Sequence, residues 1–143
     1  MTSSPRVVPE RATLVDSCVL LDIATNDPKW ADWSAEALAT ALDEGHIVVN
    51  PIVYAEVSIG FSSVEEFEEA LPAEDFHRED IPFDAAFLAG KAFLAYRRRG
   101  GGRRSPLPDF FIGAHAAVRR YRLLTRDESR YRTYFPTVEL VAP

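Results

Sequence analysis

The chain has 143 residues, of which 47% are hydrophobic and 27% charged, and its formal net charge is −6. This length and composition are typical of one soluble globular domain, and no apolar run approaches the ~20 residues that a membrane helix needs. One cysteine, Cys18, excludes an internal disulfide, and the first eleven residues lack the apolar segment of a signal peptide, so we expect a cytoplasmic protein.

Strands and helices are predicted to alternate along the chain. Residues 1–11 are expected to form a flexible N-terminal tail, and residues 12–143 a single domain. Short apolar runs predict the strands Thr13–Val15, His46–Val49, Phe76–Ile81, Tyr121–Thr125 and Val138–Val141. Helical spacing predicts the helices Ser17–Ala24, Lys29–Glu44, Ile52–Phe61, Ser62–Leu71 and Pro82–Arg98. A further helix is predicted to begin with Leu107-Pro108-Asp109 and to continue from Phe110 to Arg120, and a turn or short helix is predicted over Arg130–Phe135. Such alternation predicts an α/β fold, a three-layer sandwich with a central, mainly parallel sheet.

Four acidic residues occupy comparable places in this scheme. Asp16 and Asp127 each follow a short apolar strand, Glu56 lies in the helix after the second strand, and Asp109 lies in the first turn of a helix. Open α/β sheets bind their ligands at the carboxyl ends of the strands, so the four are predicted to converge there. At a helix N-terminus the dipole favours the ionised form of Asp109.

Gly113 and Glu56 affect how these helices would form the site. Gly113, on the same helical face as Asp109, is small enough to let that helix approach the sheet closely. Glu56 is the one charged residue of its helix, yet Ile52, Ala55 and Ile59 could form the buried stripe without it. On periodicity alone, Glu56 could therefore point outward or into the site.

Clustered carboxylates repel one another and raise their own pKa values, and a divalent cation removes that penalty. Magnesium prefers oxygen ligands and is commonly held by one or two carboxylates. Such a site can polarise a phosphodiester and generate a hydroxide nucleophile from water. A zinc site is not indicated, because His46, His77 and His115 are isolated, and we expect His115 to be structural.

Other enzyme classes lack their motifs. The segment Gly100–Pro106 does not contain the P-loop pattern, and Asp16-Ser17-Cys18 lacks the second acid of a haloacid-dehalogenase-like phosphatase. A receiver-like phosphoacceptor would need paired acids and a well-placed lysine, and a serine hydrolase would need a Gly-x-Ser-x-Gly elbow.

Charge is distributed unevenly along the chain. Residues 1–96 carry 18 acidic and 5 basic side chains, whereas residues 97–132 carry 11 arginines against three acids. The basic segment could present a positive face to phosphates despite the acidic total, or it could be a solvated, arginine-rich loop and helix face.

Four segments resemble the acidic motifs of PIN domains: Val15–Ser17, Tyr54–Val57, Leu107–Ala116 and Leu124–Asp127. The segment Arg130–Pro136 is similar to the closing segment of that family. Within the family the sequence looks most like VapC-type toxins of bacterial type II toxin–antitoxin pairs, and the resemblance covers nearly all of residues 12–142.

The resemblance implies a small Mg²⁺- or Mn²⁺-dependent endoribonuclease with a central parallel sheet. It also implies a cognate antitoxin whose C-terminal segment wraps the toxin and covers the site. Matched position by position, the catalytic acids would be Asp16, Glu56, Asp109 and Asp127. Asp16 and Asp109 would be the metal ligands, with Ser17 and Thr125 as polar support. The likeness favours Glu56 pointing into the site, and it leaves Glu128 as a substitute for Asp127.

The functional hypothesis is therefore an RNA-cleaving toxin. Arginines that could hold the RNA backbone are Arg98, Arg99, Arg103, Arg104 and Arg126. The expected partners are the RNA substrate, a cognate antitoxin, and further copies in a homodimer or toxin–antitoxin hetero-oligomer, without a membrane. The alternative hypothesis is a non-catalytic PIN-like module that binds protein or RNA without cutting it.

Overall fold

A computed structural model of the chain describes residues 11–100 and 107–143. The strands in these residues are β1 (Thr13–Val15), β2 (Ile47–Val49), β3 (Phe76–Arg78), β4 (Arg122–Leu124) and β5 (Leu140–Val141). The helices are α1 (Ser17–Ala24), α2 (Ala31–Glu44), α3 (Pro51–Ser58), α4 (Val64–Ala70), α5 (Phe83–Arg98), α6 (Leu107–Arg119) and α7 (Glu128–Tyr134).

The strands form one sheet in the order β3-β2-β1-β4-β5, and every pair is parallel. In the centre of the sheet, Leu14 pairs with Val48 on one side and with Leu123 on the other. All residues of β1, β2 and β4 are buried, which explains why these strands are short, nearly continuous apolar runs. Helices flank the sheet, so the predicted three-layer α/β fold is confirmed, with a sheet that is wholly parallel.

The strand order reverses next to β1. From β1 the chain proceeds through β2 to β3 at one edge, and it then returns to place β4 on the other side of β1. Ligands of open α/β sheets bind at such a reversal, at the carboxyl ends of the strands. The residues that follow β1 and β4 therefore occupy the position where this fold places a site.

Some predicted boundaries differ from the structure. Helix α6 begins at Leu107, as predicted from Leu107-Pro108-Asp109, because a proline at position 108 is tolerated in a first turn whose N–H groups need no helical partner; it ends at Arg119, one residue before the predicted end. The segment predicted to be a turn or short helix is the helix α7, which begins two residues earlier than predicted, at Glu128.

Helix α3 is shorter than predicted and buries a different face. It ends at Ser58, and its buried residues are Val53 and Val57, whereas Ile59 is largely exposed. The alternative in which Ile52, Ala55 and Ile59 form the buried stripe is therefore excluded. The helix starts at a real cap, since the side chain of Asn50 accepts a hydrogen bond of 3.0 Å from the backbone N–H of Val53.

The predicted N-terminal tail lies outside the described residues, apart from Arg11. The guanidinium of Arg11 donates to both carboxylate oxygens of Glu139, at 2.7 and 2.9 Å. Across residues 11–100 and 107–143, no helix has the length and apolar character needed to cross a bilayer.

Candidate active site

Asp16 lies directly after β1, at the start of α1, and only 4% of it is exposed. Its Oδ2 accepts hydrogen bonds from the hydroxyl of Thr125, at 2.8 Å, and from the hydroxyl of Tyr131, at 3.1 Å. The Thr125 hydroxyl in turn accepts from the backbone N–H of Asp127 at 3.0 Å. The carboxylate of Asp16 is therefore held across the β1–β4 pair by side chains that follow β4.

Burial raises the pKa of Asp16, and the negative charge of Glu56 raises it further, against the hydrogen bonds from Thr125 and Tyr131. These hydroxyls donate but carry no charge, so they orient the carboxylate without neutralising it. The position therefore favours a proton or a cation at Asp16.

Asp109 lies in the first turn of α6, as predicted. Its Oδ2 accepts a short hydrogen bond from Nη1 of Arg130. Burial and the negative charge of Asp16 nevertheless raise the pKa of Asp109 to about 6, in spite of Arg130. The helix dipole favours the ionised form of Asp109, but partial burial and the neighbouring carboxylate outweigh a dipole worth about 1 kcal/mol or less, so the net shift of the pKa is upward.

Glu56 lies on the same side of the sheet edge as Asp16. Its Oε1 accepts a hydrogen bond of 2.7 Å from the hydroxyl of Ser17, the residue after Asp16. The charge of Glu56 also raises the pKa of Asp16, which places the two carboxylates near each other. Of the two orientations that the periodicity allowed, the structure has the inward one.

Asp127 and Glu128 point in different directions. Asp127 lies 3.7 Å from Nη1 of Arg130, and its negative charge contributes to the raised pKa of Asp109. Glu128 is bonded at 2.7 Å to Arg132, one turn further along α7. The geometry therefore favours Asp127 over Glu128 as the fourth acid.

We name Asp16, Glu56, Asp109 and Asp127 together the acid edge. Among residues 11–100 and 107–143, no three or more His, Cys, Asp or Glu side chains are placed so that they could jointly hold a metal ion. The charge of Glu56 acts on Asp16, the charges of Asp16 and Asp127 act on Asp109, and Arg130 lies beside Asp109 and Asp127. The donor set fits Mg²⁺ or Mn²⁺, since it consists of carboxylate oxygens, and the raised pKa values of Asp16 and Asp109 indicate too little positive charge around these two groups.

The family model of the PIN domain matches residues 13–136. The chain belongs to the PIN domain family. Its fold is similar to VapBC2 from Rickettsia felis bound to a DNA fragment from its promoter, with a TM-score of 0.69, 17% identity, and coverage of 92% of this chain and 98% of that one. VapBC-1 from nontypeable Haemophilus influenzae gives a TM-score of 0.69 at 16% identity, covering 92% and 97% of the two chains. A toxin–antitoxin complex from Klebsiella pneumoniae gives a TM-score of 0.57 at 22% identity, covering 90% of this chain and 95% of that one. No curated protein matches the sequence.

The arginines that were predicted to hold RNA have different surroundings in this PIN domain. Arg126 donates to both oxygens of Asp22, at 2.7 and 3.0 Å, and Asp22 is buried. The ring of Trp30 lies 5.4 Å from the same guanidinium. Arg126 is thus the counter-charge of a buried carboxylate, and an RNA contact by it remains a prediction.

The remaining predicted arginines lie near the end of α5 or after it. Arg98 is the last residue of α5, and the guanidinium of Arg99 lies 5.8 Å from the ring of Tyr134. Arg103 and Arg104 lie outside the described residues. Their contacts with RNA also remain predictions.

Two residues beside the acid edge of this PIN domain were not assigned a role from the sequence. Tyr131 is buried and bonded to Asp16, and Arg130 is bonded to Asp109. Arg130 and Tyr131 lie three and four residues after Asp127, a spacing that places helical residues on one face. This spacing could have indicated their place at the site, but only if the segment was known to be helical from Glu128.

His115, on the same helix as Asp109, belongs to a separate buried network. Its Nδ1 accepts from the amide of Asn50 at 3.1 Å, and its Nε2 donates to Glu79 at 2.7 Å. The hydroxyl of Tyr121 donates to the other oxygen of Glu79 at 2.6 Å. The expectation that His115 is structural agrees with these contacts, which tie α6 to the capped start of α3.

Gly113 lies between Asp109 and His115 on α6, and its neighbour differs from the prediction. A Cβ at this position would lie 2.4 Å from Cδ2 of Phe135. The close approach is therefore to the ring that follows α7. The same pair of helices is joined by the ion pair of Asp109 on α6 with Arg130 on α7.

Proposed function

We propose that this PIN domain is a metal-dependent endoribonuclease that acts as the toxin of a toxin–antitoxin pair. The observation that carries the proposal is the acid edge at the strand-order reversal, where burial and mutual repulsion raise the pKa values of Asp16 and Asp109. Family membership supports the same conclusion. Carboxylates in this state bind a divalent cation because the cation removes their repulsion.

Each acid has a distinct task in this proposal. Asp16 and Asp109 would hold Mg²⁺ or Mn²⁺, and the bound ion would polarise the scissile phosphate and activate water. Thr125 and Tyr131 fix the carboxylate of Asp16, and Ser17 fixes that of Glu56. Glu56 and the half-exposed Asp127 complete the pocket.

RNA is the proposed substrate, held through its phosphates. Arginines are concentrated between residues 97 and 132, in an otherwise acidic chain. Phosphate contacts of this kind supply affinity without sequence choice. A single-stranded or loop target suits such a protein better than a duplex interior, because its bases are accessible.

An antitoxin is the proposed protein partner. The similar structures include one described as a toxin–antitoxin complex. On α5 of this chain, Phe83 is 94% exposed and Phe87, one turn later, is 70% exposed. Adjacent exposed aromatic side chains are typical of a surface that another protein covers. The same surface could serve a homodimer, which the oligomeric state of the purified chain would reveal.

The test is cleavage of a mixed RNA pool by purified protein with Mg²⁺, with Mn²⁺ and with EDTA. Wild-type protein is expected to cut only with metal, and Asp109→Ala is expected to lose at least about 100-fold in rate, because a metal ligand contributes several kcal/mol to transition-state stabilisation. Asp84→Ala is the matched control, since Asp84 also lies in the first turn of a helix but is exposed on α5.

The controls separate the outcomes. Equal cutting by wild type and Asp109→Ala would identify a contaminating nuclease. Metal-dependent cutting that survives in Asp109→Ala after further purification would remove Asp109 from the site.

The alternative, a non-catalytic module, is favoured by one observation: Arg130 already pairs with Asp109, as it would in a protein that needs no metal. Absence of cutting by folded wild-type protein, together with no rise in melting temperature on adding millimolar Mn²⁺, would select the module. A rise in wild type that disappears in Asp16→Asn would select the metal site.

A further inference from the structure

Arg130 lies where it can neutralise two members of the acid edge at once. A single nitrogen, Nη1, contacts Oδ2 of Asp109 and lies 3.7 Å from Oδ2 of Asp127. The side chain of Arg130 is 30% exposed, so it is partly enclosed rather than free on the surface. A positive group placed between two carboxylates occupies the position that a shared cation would take.

The backbone of α7 holds Arg130 in this place. The next residue, Tyr131, is buried and its hydroxyl is bonded to Asp16, which fixes that face of the helix against the acid edge. Arg132, two residues after Arg130, is 65% exposed and bonded to Glu128 within its own helix. Of the two arginines of α7, one is therefore directed at the acid edge and the other away from it.

Arg130 and a divalent cation compete for the carboxylate of Asp109. The Oδ2 atom that accepts the guanidinium hydrogen bond is one of two oxygens through which Asp109 could bind an ion. A second positive group at this distance also repels an incoming cation. Metal binding must therefore displace Arg130 or work against its charge.

We propose that Arg130 is the internal counter-cation of the acid edge and competes with the divalent cation for Asp109 and Asp127. It stabilises the metal-free fold and lowers the affinity for metal. This inference rests on the proposed metal site, and it deepens that proposal by assigning a regulator of metal occupancy within the same chain.

The test is calorimetric titration of the full-length, EDTA-stripped protein with Mn²⁺ alone, in wild type, Arg130→Gln and Arg132→Gln. Arg130→Gln is expected to bind Mn²⁺ about threefold to tenfold more tightly, the change that corresponds to losing one partly exposed ion pair. Its melting temperature in EDTA is expected to fall by a few degrees, and Mn²⁺ to restore it. Arg132→Gln removes the same charge from the same helix and is expected to behave as wild type.

Arg130→Lys provides a second variant if Arg130→Gln does not fold. It keeps the charge but offers a compact ammonium in place of the planar fork, so an affinity between those of wild type and Arg130→Gln is expected. The inference would be overturned if Arg130→Gln bound Mn²⁺ no more tightly than wild type does. If only Arg130→Lys folds, the same outcome in that variant would overturn it. An equal gain in Arg132→Gln would also overturn it, since the effect would then be one of net charge.

The same titration separates this inference from the proposed function. Wild-type binding that is not strengthened in the Arg130 variants removes only the inference. Binding by the Arg130 variants alone supports the inference in its strongest form. Binding by none of the proteins removes both the metal site and the competition for it.

Discussion

Helix α6 carries two polar regions that differ in how completely their charges are matched. At its first turn, Asp109 faces Asp16, Asp127 and a single guanidinium, and its pKa is raised to about 6. Two turns later, His115 lies in a network with Asn50, Glu79 and Tyr121. Burial alone would raise the pKa of Glu79, but the hydrogen bonds from Tyr121 and His115 outweigh it and the pKa is lowered.

The difference separates a structural polar cluster from a candidate binding site. In the network every donor meets an acceptor, so the folded state stabilises the charge on Glu79. At the acid edge the folded state disfavours the charges that it brings together. A protein keeps such an arrangement where a ligand relieves it, which is why the acid edge, and not the network, is the proposed site.

The largest effect on stability is expected from breaking the network. His115→Ala should lower the free energy of unfolding by about 3 kcal/mol, because it removes a buried ring, leaves the amide of Asn50 without its partner and takes one donor from the carboxylate of Glu79. Urea unfolding measures this change. His77→Ala is the control, since His77 is exposed on β3 and should change stability by no more than about 0.5 kcal/mol. Similar losses in both variants would show that the network is not a stabilising unit.

A smaller effect is expected at Gly113, between the two regions. Gly113→Ala should destabilise the protein by about 2 kcal/mol, because the new methyl group would overlap the ring of Phe135. Gly90→Ala, in α5, is the matched control with the opposite sign. No atom lies within 4 Å of a Cβ there, and alanine in a helix is favoured over glycine by roughly 0.5–1 kcal/mol. Thermal melts of the two variants should therefore shift in opposite directions.

The smallest effect is the pH dependence of the metal-free protein. The pKa of Asp109 is 3.8 ordinarily and about 6 in the fold, so the folded state retains a proton that the unfolded state releases. Stability should therefore fall by about 1 kcal/mol as the pH rises from about 4 to about 6, after allowance for solvent screening at this partly exposed group. Glu79 has a lowered pKa, so its contribution has the opposite sign and is lost only as the pH falls below that range.

Melting curves in EDTA between pH 4 and pH 7 measure this dependence. Asp109→Asn should reduce the slope, leaving the part that comes from the raised pKa of Asp16, and should be more stable than wild type at pH 7. A variant that is less stable than wild type at pH 7, with the slope unchanged, would show that Arg130 compensates Asp109 fully.

Much of this fold could be predicted from the sequence because the three central strands β1, β2 and β4 are fully buried. The short runs around Leu14, Val48 and Leu123 are mostly apolar and alternate with helical segments, so their parallel pairing was predictable. Local spacing also located the acids that follow β1 and precede α7. It could not give the pKa of Asp109, because that value depends on burial and on Asp16, which is 93 residues away along the chain.

The side-chain partners of Arg126, Arg130 and Tyr131 were harder to predict. Arg126 was expected to bind RNA because it belongs to a basic segment, yet its ion pair with Asp22 joins residues 104 positions apart. No local pattern marks such a pair. Arg130 and Tyr131 were hidden for a related reason, since their roles depend on how α7 packs against Asp16 and Asp109.

The β1–β4 pairing has a consequence for the synthesis of the protein. Asp16 and the hydroxyl of Thr125 are 109 residues apart in the chain, and Asp16 and Tyr131 are 115 apart. Chains emerge from the ribosome with the N-terminus first, so a nascent chain presents Asp16 long before its partners exist. The acid edge is assembled only after β4 and α7 have been made and have docked beside β1. A chain made in this order has no assembled acid edge during nearly all of its own translation, while its message is still being read.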